Sequence, residues 1–400
     1  MIDLDRAATA PLRPEARAAM EPFLADRYGN PSAAHALGRD AVRALDEARE
    51  ELADLLGCAP SELVFTSGGT ESDVHAVTGG VPPRTDRVLC SAVEHPAVLE
   101  TVRALGGEVV VVRRDGRIDL DALAETLVGP AVGQDRVVGL VSVMTANNEL
   151  GTINDMDEVA AVVARHAPTA TLHTDAVQAA PWLDLRQHTR SAALVSVSAH
   201  KFGGPKGVGA LIVRGGTQIR PLLPGGGQEL GRRSGTVNVA GVVGMAAALR
   251  SVARDRVATS ARISALRDRL AHDLCAVAGV TRTVAAGTAV LPGTLHLLVD
   301  DVESEPLLFL LDAAGVGASA SSACASGAAK ASHVLAAIGA DRATEGRSRG
   351  ALRLSLGHDT TDGDVAQAAA VIADAVMGLR SASVGVGRVT AAVTAAAGER

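Results

Sequence analysis

Aromatic rings are scarce in this chain: Phe, Trp and Tyr make up 2% of its 400 residues. Any task that needs a ring stacked on a ligand therefore falls to one of few side chains, histidine included. The cysteines are Cys58, Cys90, Cys275 and Cys324, with no CxxC and no paired spacing. That argues against a disulfide framework and against a structural zinc site. Cys90 in an apolar run and Cys275 in an Ala-rich helix read as small core residues. No basic block interrupts a net charge of −7, so nucleic acid is not the expected partner. The opening MIDLDRAATAP has neither the basic nor the apolar region of a secretory signal. No apolar run reaches membrane-spanning length without Gly or charge. The expectation is a cytoplasmic protein with no membrane partner.

What is present is a globular composition, 47% hydrophobic and 21% charged, in a chain long enough for two domains. Residues 1–14 read as an extended arm with Pro11 and Pro14. Gly38–Leu56 carries Val42, Leu45, Ala48, Leu52 and Leu55 at helical spacing. From LVFT (63–66) onward, strand-like runs alternate with helices: RVLCS, a helix from Pro96, EVVVV, a helix from Asp119 to Leu127, RVVGLVSV, a helix from Asp155 to His166, ATLHT, the VSVS run and ALIV (210–213). Such alternation predicts a mainly parallel sheet covered on both faces. Asn238–Gly279 is helical for too long to be one ordinary globular helix. It is expected to be two, with a break near Ser251–Ser260 at the passage into a second domain. That domain has a strand at 294–299, a helix at 304–314, a Ser/Ala-rich loop at 317–331, a strand at 352–356 and a closing helix to about Leu379. The tail after Arg380 is expected to be loosely held.

In open parallel sheets ligands sit beyond the carboxyl ends of the strands, so the polar residues there are the ones to compare. Val195–Gly209 reads VSVSAHKFGGPKGVG. Alternation at Val195, Ser196, Val197 and Ser198 predicts a half-buried strand delivering His200 and Lys201 to a turn, and Gly203, Gly204 and Pro205 stop a helix from starting. A partly desolvated lysine has a lowered pKa and a nucleophilic amine; taken alone, the same stretch is a surface lysine in a glycine-rich loop. It matches neither GxxxxGK[ST] nor GxGxxG. Ser67-Gly68-Gly69-Thr70-Glu71 opens a helix and reads equally as an anion nest or a plain cap. His95, before Pro96, is a cap or a ring to lie flat on an aromatic ligand. Asn147 and Asn148 precede a glycine turn, and Asn148 is also able to donate to a phenolate oxygen. Asp175, in HTDAVQ (173–178), ends a buried strand, where an aspartate can keep a heterocyclic nitrogen protonated. His-x-Asp as a metal site lacks a third ligand at suitable spacing, so no metal is expected. GGGQELGRRSGT (225–236) offers a second nest around Thr236. Together these supply what pyridoxal 5′-phosphate needs: a phosphate cup, a ring stacker, O3′ donors, a nitrogen counter-ion and a Schiff-base lysine.

In family order, the blocks GNPSAAHALGR (29–39), ELVFTSGGTES (62–72), EHPAVL (94–99), NNELGT (147–152), HTDAVQ (173–178), SAHKFGGPKGVGAL (198–211), RRSGT (232–236), SSACAS (321–326) and RLSLG (353–357) span nearly the whole chain. The chain resembles the NifS-like cysteine desulfurases, in the class V aminotransferase group of fold type I pyridoxal-phosphate enzymes. The resemblance implies an α/β fold: a large, mainly parallel sheet domain at 15–255, and a smaller α+β domain from 1–14 and 256–380, with 381–400 as the tail. It implies Lys201 as the Schiff-base lysine, Asp175 on the ring nitrogen, His95 on the ring face, and Asn148 and Gln178 at O3′. Gly69, Thr70, Ser198 and His200 would hold the phosphate, with Thr236 reaching in from the other subunit of a homodimer. Arg353 and Asn148 would bind substrate L-cysteine, with Arg353 forking its carboxylate. Cys324 would be the nucleophile that carries sulfur to an acceptor protein, an iron–sulfur scaffold or a thiolation enzyme. Arg6, Ala10, Val74 and His358 depart from the family pattern, as does Ala329-Lys330-Ala331; none removes a cofactor contact, but they leave the acceptor open. Rival readings are a class V aminotransferase, a selenocysteine lyase or a non-enzymatic scaffold.

Overall fold

In the computed structural model the described residues are 1–83, 85, 87–129, 137–320, 332–340 and 348–397, with side chains as far as Ala382. In chain order the elements are β1 (Ile2–Asp3), α1 (Pro14–Leu24), α2 (Ala36–Leu56), β2 (Leu63–Thr66), α3 (Gly69–Gly79), β3 (Arg87–Ser91), α4 (Pro96–Ala104), β4 (Glu108–Val110), α5 (Leu120–Val128), β5 (Val138–Ser142), α6 (Met156–His166), β6 (Thr171–Asp175), α7 (Leu185–His188), β7 (Leu194–Ser198) and β8 (Gly209–Val213). There follow α8 (Val239–Cys275), β9 (Val280–Arg282), β10 (Thr294–Asp300), α9 (Ser304–Ala313), β11 (Val316–Gly317), α10 (His333–Ala337), β12 (Arg349–Ser355) and α11 (Asp362–Ala397).

The chain forms two compact units, one of Ala7–Ala258 with Ala289–Leu291, the other of Met1–Arg6, Thr259–Thr288 and Pro292–Arg400. Residues 7–14, expected with the smaller domain, lie in the larger unit. The larger unit is built on a seven-stranded sheet in the order β2-β8-β7-β6-β5-β3-β4. The ladders β4–β3, β3–β5, β5–β6 and β6–β7 are parallel, whereas β8 runs antiparallel to both β7 and β2. Helices α5 and α6 start where an aspartate caps them. Asp119 accepts from the backbone N–H groups of Asp121 and Ala122, and Asp155 from those of Asp157 and Glu158.

All five residues of β7 are buried, so the alternation of Val and Ser does not mark a half-buried strand. The sheet is covered on both faces, and Ser196 is tolerated there because its hydroxyl bonds His173. Residues 239–275 form one unbroken helix, not two. Ser251 and Ser260 are only mildly unfavourable in a helix, and no proline or glycine lies between Gly244 and Cys275. The boundary between the units falls inside this helix. Pro14–Leu24, unassigned in the sequence, is helical because proline suits a first helical position.

The smaller unit holds the antiparallel sheet β12-β10-β9 and the parallel pair β1–β11. Its last helix, α11, continues to Ala397 rather than ending near Leu379, since the Ala-rich stretch contains no proline. Asp362–Ala382 is long and apolar enough, by length and composition, to cross a membrane. In this unit, however, Val365, Ala368, Ile372 and Val376 form its buried stripe, the pattern of a helix packed on a protein core. Cys275 is exposed, a correction to its reading as a core residue: Leu274 takes the buried position at the end of α8. Cys90 is buried, which pushes its thiol far up. Cys58 is half-buried and raised to about 11 by desolvation.

Candidate active site

Where β2 ends, the chain turns through Ser67 and Gly68 into α3. Gly68 has φ +151°, which an L side chain rarely adopts, and no side chain caps the helix there. A Cβ on Gly69 would meet Val177 Cγ2 at 3.0 Å and Ser198 Cβ at 3.4 Å, so only glycine lets the helix start lie this close to the end of β7. Gly209 serves the same approach, since a Cβ there would stand 2.7 Å from the Val197 carbonyl and 2.8 Å from Gly68 Cα. The result is a cleft of about 370 Å³ lined by Gly69, Thr70, Ser198, His200, Thr9 and Lys206. The positive end of α3 opens on it, an arrangement that attracts an anion. Glu71 also lines this cleft, but its carboxylate is already engaged. It accepts from the Ser67 N–H at 2.8 Å and pairs with Arg233 at 2.9 Å. Burial alone would raise its pKa; those bonds hold it below the ordinary value.

His200 is pushed down to about 4, by burial first and then by Lys201 and Lys206. It is therefore neutral and meets an anion as a hydrogen-bond donor rather than a charge; its Nδ1 lies 3.2 Å from Thr9 Oγ1. Lys201 Nζ donates to the Ala7 carbonyl at 2.7 Å and the Ala8 carbonyl at 3.0 Å. Gln178 Nε2 donates to the same Ala7 carbonyl at 2.9 Å. Asp175 is buried at the end of β6, with Oδ1 accepting from the Val177 N–H at 2.8 Å. Desolvation raises its carboxyl to about 6, opposed by that bond and by the Lys201 charge. A cationic nitrogen against it would draw that value down.

His95 is half-buried and does cap α4, its Nδ1 accepting from the Ala97 N–H at 3.1 Å. That bond lies in the ring plane and does not use the ring faces. The two asparagines divide their work. Asn147 is buried and builds the turn, accepting from Glu149 and Leu150 N–H groups and donating to the Val93 carbonyl, while Asn148 is half-buried. Pyridoxal phosphate fits this set. The uncapped helix start, its glycine cradle and the neutral His200 suit a phosphate, and an amine and a buried carboxylate stand on the adjoining strand ends.

Thr236 and Arg353 remain among the described site residues. Thr236 is exposed and lines an adjoining cavity of about 80 Å³, which shares Ser67 and Gly207 with the cleft. Arg353 belongs to the smaller unit, where it is buried on β12 and donates through Nη2 to Asp5 Oδ1 at 2.7 Å. His296 stands opposite it in the β10–β12 register; burial, with the Arg353 charge second, pulls that imidazole down to about 3. Cys324 lies outside the described residues. Two departures from the family pattern meet in the smaller unit: Arg6 Nη2 bonds Asp359 at 3.0 Å, and His358 Nδ1 lies 3.9 Å from the same carboxylate. Val74 is half-buried on α3. Sequence reasoning missed Thr9, Lys206 and the Ala7 carbonyl. The available signal for Lys206 was its place in the same Gly-Pro turn as Lys201.

The mainly parallel sheet, with its lysine, aspartate and anion cup at the strand ends, defines a fold type I pyridoxal-phosphate protein. The profile of the aminotransferase class-V family matches residues 2–367. An IscS-like cysteine desulfurase of Mycobacterium tuberculosis is 42% identical, over 96% of this chain and 98% of that protein. The cysteine desulfurase IscS of Dictyoglomus turgidum is 38% identical, over 90% of this chain and 91% of its own length. Among solved structures, a NifS-like protein superposes with TM-score 0.84 at 32% identity, covering 93% of this chain and 98% of that one. SspA in complex with cysteine gives 0.71 at 29% identity, covering 89% and 99%. This chain belongs to the aminotransferase class-V family, on its cysteine desulfurase branch.

Proposed function

We propose that the protein removes sulfur from L-cysteine, releases L-alanine and holds the sulfur as a persulfide on Cys324 before handing it on. The observation that carries this reading is the convergence of Lys201, Asp175 and the anion cup in a chain related to cysteine desulfurases over almost all its length. Bound in that cup, pyridoxal phosphate supplies an electron-withdrawing ring that lets the substrate α-proton leave and weakens the bond from β-carbon to sulfur.

The chain's own residues do the rest. Gly69, Thr70, Ser198 and His200 would hold the phosphate, His95 would lie against the ring, and Asn148 and Gln178 would serve O3′. Asp175 would keep charge on the ring nitrogen. Lys201 would give up its bonds to the Ala7 and Ala8 carbonyls to anchor the cofactor, and its amine would carry the α-proton. Arg353 takes the substrate carboxylate as a fork, with Asn148 beside it. The Cys324 thiolate attacks the substrate sulfur: an S–S bond forms, the C–S bond breaks, and its electron pair stays on carbon, which takes a proton on the way to alanine. An ordinary thiol titrates near about 8.5, so the site must favour the thiolate.

The protein works as a homodimer in the cytoplasm, with Thr236 completing the phosphate site of the second subunit. The exposure of Thr236 supports that assignment. The sulfur passes to an acceptor protein, an iron–sulfur scaffold or a thiolation enzyme. The test is to incubate purified protein with L-cysteine and reductant, then measure sulfide and alanine. Wild type should give equal amounts of both, and Lys201→Ala and Cys324→Ala neither, with the Cys324 variant still yellow. Full sulfide and alanine release in Cys324→Ala would sink the persulfide on Cys324, and amino-group transfer without sulfide in the wild type would leave an aminotransferase.

A further inference from the structure

Around the end of β6 the larger unit buries three carboxyl groups, Asp175 among them. Asp73 on α3 is 1% exposed and Glu94, in the turn after β3, is 0% exposed. Both feel the negative charge of Asp175. His173 shares a face of β6 with Asp175, two residues earlier, and is fully buried. Its Nδ1 lies 2.8 Å from Ser142 Oγ on β5, its Nε2 3.0 Å from Ser196 Oγ on β7 and 3.7 Å from Asp73 Oδ1. Asp73 Oδ1 has no hydrogen-bond partner, and among the described residues no arginine or lysine pairs with this carboxyl. From the other elements packed on α3, the groups facing Asp73 are therefore an acid (Glu94), an acid and an imidazole on β6, and one hydroxyl on β7.

A carboxylate in a dry core with no cation and an oxygen lacking a donor is among the costliest arrangements a protein can hold. A neutral acid in the same place is not. Burial, followed by the charge of Asp175, drives the Asp73 carboxyl well above its usual range, with Ser196 opposing, and burial holds His173 down at about 3. Burial disfavours a charged imidazole, and both its nitrogens already lie on serine hydroxyls, so it is a poor source of the missing cation.

We propose that Asp73 is a positioning residue held permanently as the neutral acid, its proton shared toward Ser196 and His173, so that it supports Asp175 without competing with it for positive charge. This rests on the reading that Asp175 faces the cofactor ring nitrogen. Asp73 gives β6 a polar floor that adds no negative charge, and Asp175 alone answers the ring. An ionised Asp73 would instead place a second anion behind the first and spread the attraction for the ring nitrogen over both.

Two measurements test it. The infrared spectrum of the cofactor-free protein, at mildly alkaline pH, should show a protonated-carboxyl stretch that shifts on ¹³C-aspartate labelling. Asp73→Asn should remove it and Asp175→Asn leave it; its absence from the labelled wild type overturns the proposal even if no variant folds. In the loaded protein, Asp73→Asn should leave the pH midpoint of the cofactor's visible absorbance where wild type has it. A downward shift would show that a negative charge had been removed, and that Asp73 had been ionised. Asp175→Asn should change that spectrum and weaken cofactor retention. If it changes neither, the role given to Asp175 fails, and the infrared band still decides the state of Asp73.

Discussion

A single side chain in this protein often has its chemistry set by what it is denied. Lys201 donates to the Ala7 and Ala8 carbonyls at 2.7 and 3.0 Å, and such bonds are exchanged at little cost when the amine forms a covalent link. Replacing it by alanine should abolish sulfide release while leaving the fold intact, as circular dichroism would check. Asp73 makes a second prediction at this scale. Its carboxyl is raised in the folded state, so its contribution to stability is complete below the unfolded pKa of about 3.9 and is lost as pH rises through the folded value. Across that window the wild type loses about 1.4 kcal/mol per pH unit through this group. Asp73→Asn carries no such proton. Its stability relative to wild type, from denaturant titrations, should therefore climb with pH.

Elements fix where those side chains stand. The cup depends on the start of α3 lying against the ends of β7 and β8, and that approach depends on glycine at 69 and 209. Gly209→Ala would force a Cβ to within 2.8 Å of Gly68 Cα, a backbone clash that no rotamer relieves. Overpacking of this kind costs on the order of 1–3 kcal/mol, and here it falls on the phosphate cradle. The variant should fold yet release pyridoxal phosphate more readily, by about tenfold or more, read by absorbance after dialysis. Helix α8 makes a different point. Its unbroken run through residue 258 means that Ala258→Pro should cost about 3 kcal/mol or more, measured by urea unfolding. Two helices with a break at that point would have tolerated the proline.

For the whole molecule, buried imidazoles and raised buried carboxyls act in opposite directions as pH falls. His173 and His296 lie in different units, each held down at about 3 by burial. Their stabilisation is present above the unfolded value of about 6.5 and is lost as pH falls from there toward the folded value. In the larger unit the raised carboxyls of Asp73 and Glu94 gain stability over the same fall in pH and offset His173, so loss should set in below neutrality in the smaller unit first, read by amide hydrogen exchange against pH. An acid limit set only by carboxylates near pH 4 would contradict this.

The order of strands and helices was legible in the sequence because the apolar periods are long and the caps explicit, as at Asp119 and Asp155. So were Lys201, Asp175 and the Ser67–Thr70 turn, since strand-end position and residue type coincide there. Less was legible where one pattern has two physical outcomes. Val-Ser alternation in β7 looks half-exposed until a second layer covers it, and two serines in α8 look like a break until nothing nearby competes with the helix. The sequence by itself determined which residue types stand at each strand end, because that follows from local period and turn chemistry. Only the tertiary structure decided their state. Whether Asp73 holds a proton, whether His200 is charged and which of two asparagines builds a turn depend on the solvent and partners that distant segments take away or supply.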